Sequence, residues 1–278
     1  ADEKFLQQLE ERFGLDKPMH EQLWIYVSGI VVLDMGFSYR QQEPVADLIF
    51  ERLPATLLLT GTAFAISILL GILLGALAAA RVGRWADSAI TVLALIFYAT
   101  PLFWIALMSI LLFSVYLGWL PAFGMVSVGA GFTGLDYALD VAQHLVLPAL
   151  TLGLFFMAIY TRMTRASMLE VFDQDFVKTA RAKGVRPGRI TRVHVLRNAI
   201  LPVITLAGIQ AGQIVGGAVL TETVFAWPGI GRLMFDALLQ RDYNLLLGIF
   251  FVSSAMVILF NLVTDVVYTF VDPRIELK

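Results

Sequence analysis

The chain contains no cysteine and only three histidines. Disulfide frameworks and thiolate metal sites are therefore excluded. His20, His144 and His194 lie far apart, on different loops or span ends, and read as structural residues rather than as a metal site. Charge is scarce as well: 15% of 278 residues, against about 25% in an ordinary soluble domain. The net charge of −2 leaves no global basic field for nucleic acid. No phosphate-cradling GxxxxGK[ST] pattern occurs, so any ATP hydrolysis would belong to another chain. The chain does not begin with Met and has no leading apolar segment to act as a signal or first anchor.

What is abundant is hydrophobicity, at 58% of residues and a mean hydropathy of +0.78. Leu53 to Ala80 and Ser88 to Leu135 carry no charge at all. A membrane-crossing helix needs roughly 20 apolar residues. Charge-free windows give five expected spans: Leu53–Ala80, Ser88–Leu117, His144–Tyr160, Ile200–Leu220 and Tyr243–Tyr268. The apolar stretch Leu23–Leu33 is too short to cross and suits a helix lying at the interface or packed on the other spans. The expected fold is thus an all-α membrane protein with five spans. Residues 1–52 form an external segment, 53–270 the membrane domain, and 271–278 a tail.

Thirteen of the 20 Lys and Arg residues fall on one side of this arrangement and seven on the other. The richer side is expected to be cytoplasmic. The N-terminal segment then starts outside, in the periplasm of a bacterium, and the C-terminus lies inside. A chain starting outside is simplest to insert if a first span precedes Ala1, and that is the expectation here. A true five-span protein is the alternative.

No Asp, Glu, Lys or Arg occupies the middle of any span. Buried ionisable groups usually mark ion or proton relays, so their absence argues against a proton-coupled carrier or channel. Gly71 and Gly75, and Gly208, Gly212 and Gly216, repeat every four residues, as helix-packing stripes do. Gln210 and Gln213 share a face roughly opposite the second stripe, where they could line a polar pathway or act as interhelical glue. Pro101 and Pro148 should kink their spans. Glu222 and Asp265 are the acids nearest the bilayer, expected at the interface or in interhelical pairs.

The segment 161–199 holds nine of the thirteen basic residues on the richer side. Asp175 can cap a short helix, Phe176–Lys183, with Gly184 as its left-handed terminator. Arg181 and Lys183 lie in its last turn, where the dipole favours cations. After the turn Arg186-Pro187-Gly188, a second helix is expected from about Gly188 to Asn198. Such a loop could rest on anionic lipid, satisfy the positive-inside rule, or dock a cytoplasmic partner.

Lys178-Thr179-Ala180-Arg181-Ala182-Lys183-Gly184, followed by His194-Val195-Leu196-Arg197-Asn198-Ala199-Ile200-Leu201-Pro202, resembles the EAA loop of binding-protein-dependent ABC importer permeases. The resemblance is greatest to the branch handling peptides, nickel and related solutes. Leu15-Asp16-Lys17-Pro18, Gly36-Phe37-Ser38, Arg52-Leu53-Pro54-Ala55-Thr56-Leu57, the run from Glu222 to Leu233, and Asp272-Pro273-Arg274 resemble other segments of that family in order. The general motif begins Glu-Ala-Ala where this chain has Lys178-Thr179-Ala180. The distance from Gly184 to Pro202 is also longer, as in the peptide branch.

The resemblance implies a type I ABC importer permease, not an enzyme. It would work with a homologous second permease, two cytoplasmic ATPases that bind the ATP and Mg, and an external solute-binding protein. This chain itself would hold no cofactor or metal. Asp175, Phe176, Val177, Lys178, Thr179, Ala180, Arg181, Ala182, Lys183, Gly184 and Arg186 would form the ATPase-coupling loop, with Phe176 and Val177 as apolar anchors. Glu222 could also touch the delivering protein. Di- or oligopeptides are the expected cargo, with nickel, opines, glutathione and oligosaccharides open alternatives within the class. A secondary carrier, a channel and a non-transporting scaffold are the alternatives outside it.

Overall fold

Long apolar runs broken by proline and glycine become long helices. The computed structural model describes residues 17–31 and 34–271, with side chains placed except at 25–27, 30–31, 212–217, 265 and 267–271. Helix α1 is Met19–Val31, a short hairpin pairs β1 (Phe37–Ser38) with β2 (Glu43–Pro44), and α2 is Val45–Ala80. There follow α3 (Trp85–Ala99), α4 (Leu102–Ser109, running into a π-helical stretch Ile110–Tyr116) and α5 (Gly134–Phe172). Next come α6 (Asp175–Ala182), the single turn α7 (Pro187–Arg189), a π-helical stretch Ile190–Leu196, and α8 (Arg197–Val224). Last are α9 (Ile230–Gln240) and α10 (Tyr243–Val271).

Four helices among the described residues are long and apolar enough to cross a membrane, and the pair α3–α4 makes a fifth if it counts as one span. The expected spans are found, with corrected limits. Helix α2 begins at Val45 rather than Leu53. Its first turns bury Val45, Leu48 and Ile49 against Ile230, Leu233, Leu245 and Ile249, while Asp47 and Glu51 stay exposed. A charge-free window misses helical turns whose core is protein rather than lipid. Likewise α5 extends beyond His144–Tyr160 at both ends, so residues 161–172 are helix and not loop. Segments 15–16 and 272–274, matched by resemblance above, lie outside the described residues.

The expected second span is broken. Thr100 adopts φ −83°, ψ 132°, the extended conformation favoured before proline, and α3 and α4 meet at 102°. Pro148 lies inside α5, and Pro54 and Pro202 lie inside α2 and α8.

Helices α2 and α5 form the central pair. A Cβ at Gly71 would collide with the Tyr160 Cβ, and one at Gly75 would sit 2.6 Å from the Thr161 carbonyl oxygen. Gly153 answers from α5, where a Cβ would meet the Ile66 side chain at 2.9 Å. Glycine on both partners lets two backbones touch, so dispersion contacts replace the hydrophobic drive that lipid does not supply. Gly208 admits the Thr264 side chain of α10 in the same way. Gly212, Gly216, Gln213 and Asp265 fall among the residues whose side chains are not described.

One end of the bundle carries the basic segments 81–84 and 173–196. The other carries the hairpin, the loop 118–133 and α9. There Ser38 hydrogen-bonds Asp242, whose other oxygen accepts the Leu245 N–H at 3.2 Å, and Asn244 donates to the Phe37 carbonyl at 3.1 Å. Gly124 N–H meets the Phe225 carbonyl at 2.9 Å, so the loop and the turn between α8 and α9 meet at the same end.

Candidate functional site

The basic loop is built outward from a small apolar core. Val177 and Ala180, three residues apart on α6, pack with Ala79 of α2, Met168 of α5, and Ile190, Val195 and Ala199. Every other residue of α6 is exposed, and so are Lys183, Gly184 and Arg186. The inner face therefore ties α6 to the ends of three long helices, and the outer face is free and cationic.

The local chemistry explains the shape. Gly184 has φ +72°, which an L side chain would resist, and the helix closes with two reverse bonds, Gly184 N–H to Arg181 O (2.9 Å) and Val185 N–H to Ala180 O (3.2 Å). Gln174, not Asp175, occupies the cap position. Asp175 is the first helical residue, and its carboxylate is taken by Lys178 at 2.9 Å. That hydrogen bond holds the Asp175 carboxyl below its usual range and raises the Lys178 ammonium. Arg181 lies over the Phe172 ring, 5.9 Å from its centroid.

Three expectations for the loop change here. Val177 is fully buried within its own chain, so of the two expected anchors Phe176, 45% exposed, is the one available to a partner. The second loop helix is not separate, because Pro187 to Val224 runs on through the π-helical stretch into α8. The loop proper is thus shorter than 161–199.

Distant pairs brace this end. Arg165 of α5 forks onto Asp87 of α3, Nε to Oδ1 at 2.6 Å and Nη2 to Oδ2 at 2.9 Å, and Gly83 N–H adds a bond at 3.1 Å. Arg162 caps the Tyr98 ring at 4.5 Å. Composition carried no signal for either.

In the membrane interior, Gln210 is buried, and its Oε1 finds no hydrogen-bond partner among the described residues. Glu222 is wholly buried, which removes it as a contact for a delivering protein. It is instead an interhelical group: Thr56 Oγ1 donates to its Oε1 at 2.7 Å and Arg232 N–H to its Oε2 at 3.0 Å. His144 bonds the Asp140 carbonyl at 2.8 Å, one turn back on α5. No group of three or more potential metal ligands occurs among the described residues.

Residues 71–277 match the family described as binding-protein-dependent transport system inner membrane component, and residues 1–60 match its N-terminal companion. The dipeptide transport system permease protein DppB of Escherichia coli K12 is 41% identical, covering 98% of this chain and 85% of the relative. The oligopeptide permease AppB of Bacillus subtilis is 40% identical over 97% and 84%. The glutathione permease GsiC of Escherichia coli is 39% identical over 100% and 86%. The inward-facing MetNI methionine ABC transporter superposes with a TM-score of 0.62 at 19% identity, over 81% of this chain and 96% of that one, which speaks for the fold. The chain belongs to the family of binding-protein-dependent transport system inner membrane components.

Proposed function

We propose that this chain is the transmembrane pathway subunit of an ATP-driven importer of di- or oligopeptides, and that α6 with its flanking turns is where a partner ATPase docks. The observation that carries the docking reading is the two-faced α6. Val177 and Ala180 lock it to α2, α5 and the root of α8, while Phe176, Lys178, Arg181 and Lys183 face outward. A load applied to the outer face passes directly into three long helices, which is what coupling of closure to alternating access requires. The peptide cargo is supported by the names of the relatives, glutathione being itself a peptide.

The basic end is cytoplasmic in this reading, by the excess of Lys and Arg there. The hairpin and α9 then face the periplasm and the solute-binding protein. A homologous second permease completes the pathway, and two ATPases bind ATP and Mg, so the chain itself is neither an enzyme nor a cofactor carrier. The charge-free spans fit energy arriving through the loop rather than through the membrane interior.

The absence of cysteine gives a clean background for the test. Phe176→Cys and, separately, Arg181→Cys are expressed with the second permease, the ATPases and the binding protein, and reconstituted into liposomes. Cross-linking of both to an ATPase, with uptake of labelled dialanine, is expected. Uptake with no cross-link from either position refutes the docking face, and cross-linking without peptide uptake refutes the cargo.

A further inference from the structure

Glu222 is a carboxylate with no exposed surface, placed near the hairpin end of a membrane helix, and among the described residues no Lys or Arg side chain pairs with it. Its partners come from two other elements, α2 and α9. Thr56 of α2 donates to Oε1 at 2.7 Å, and Thr56 Oγ1 in turn accepts the Ile230 N–H at the start of α9 at 2.8 Å. Arg232 N–H, also in the first turn of α9, donates to Oε2 at 3.0 Å. Both carboxylate oxygens thus gather donors around the positive end of α9.

The surroundings are shaped to this contact. A Cβ at Gly229 would strike the Glu222 carboxyl group, and one at Gly231 would lie 2.7 Å from Val219 Cα and 3.0 Å from Glu222 Oε2. The Glu222 carbonyl accepts the Trp227 N–H at 2.8 Å, and Trp227 Nε1 reaches the Ala55 carbonyl at 2.8 Å. Ala226 takes a left-handed φ of +50° to make the turn, and the Arg232 guanidinium holds its carbonyl at 2.7 Å. The other end of the same continuous helix, Pro187 to Val224, begins at the basic loop, about 55 Å away at 1.5 Å per residue.

We infer that Glu222 is the pin that makes α9 and the outer end of α2 move with α8, so that events at the hairpin end are relayed along one helix to the docked loop. It is a positioning residue and touches no cargo. The inference rests on the docking reading above, and it adds that arrival of the binding protein is felt through this pin. A residue needed only for folding would lower assembly and basal turnover together. A relay lowers the stimulated rate alone.

The experiment uses the reconstituted importer and reads assembly, basal ATPase rate, and stimulation by binding protein loaded with dialanine. Glu222→Leu should assemble and keep basal turnover within twofold, while stimulation falls at least tenfold. Glu222→Gln should retain at least half the stimulation, because its carbonyl can accept from Arg232 and its amide can donate to Thr56. Thr56→Val, which removes the hydroxyl's bonds to Glu222 and Ile230 at constant shape, should fall between them, and Gln240→Ala at the exposed end of α9 should match the native chain. If Glu222→Leu does not assemble, Thr56→Val and Glu222→Gln decide by the same measure. Native stimulation in Thr56→Val or Glu222→Leu overturns the inference, as does a parallel loss of basal and stimulated rates. A native importer that binding protein does not stimulate would instead undo the docking reading.

Discussion

Removing Arg165 should damage the protein more than removing its partner. Asp87 is 5% exposed and accepts three hydrogen bonds, two from the Arg165 fork and one from Gly83. Arg165→Ala leaves that carboxylate buried with only the Gly83 N–H, and breaking such a pair from one side costs ~3–5 kcal/mol. Asp87→Ala leaves a guanidinium whose side chain is already 31% exposed and can turn to water. Its cost is about 1–2 kcal/mol, near that of the lost charge-assisted bonds less what rehydration returns. The double variant contains no stranded charge and should sit close to Asp87→Ala, a coupling of roughly 3–5 kcal/mol. At about 2–4 °C per kcal/mol for a chain of this size, Arg165→Ala should melt about 6–20 °C low and Asp87→Ala about 2–8 °C low. Loss of the monodisperse peak after heating in detergent measures both. Equal costs for the single variants, with an additive double, would refute the reasoning.

Gly75→Val places a branched side chain against the Thr161 carbonyl and Thr164, and should cost about 1–3 kcal/mol by overpacking, seen as a lower melting temperature. Gly184→Ala must adopt φ +72° and should cost ~1–2 kcal/mol locally. Coupled ATPase activity should drop with it while membrane insertion, followed by fractionation, is unchanged. Val177→Asp buries a charge in the core beneath α6 and should abolish coupling, whereas Phe176→Ala should weaken only ATPase co-purification. Substituting Gln210 and Gln213 together by Leu should lower dialanine uptake with normal assembly. Unchanged uptake would remove them from the pathway.

The span centres were legible because hydrocarbon tolerates no charge, and an uncharged run of that length has few other uses. The helix ends were not, because Val45 to Arg52 and Thr161 to Phe172 mix charge with apolar residues that bury against protein. Gly184 was legible because a helix followed by a left-handed turn nearly demands glycine. The cap falls at Gln174 rather than Asp175, and Lys178, one turn on, takes the Asp175 carboxylate. Val177 and Phe176 are adjacent and alike in hydropathy, and only the neighbours contributed by α2, α5 and α8 tell which turns inward. Glu222 and Thr56 stand 166 positions apart, and Asp87 and Arg165 stand 78 apart, so no local pattern couples either pair.

The bend at Thr100–Pro101 fixes how the α3–α4 pair can sit in a bilayer. Each arm has 15 residues, counting the π-helical stretch, and is therefore about 22 Å long. With 102° between their directions, one arm upright would send the other slightly backward, for a net rise of only ~18 Å. If both arms lean equally, the rise reaches about 28 Å, close to the ~30 Å hydrocarbon thickness. The elbow then projects roughly 17 Å sideways, more than the ~10 Å width of a helix. Both arms pack on α5. This segment thus clasps its neighbour like a hook, and its tilt is set by the need to reach both faces of the membrane.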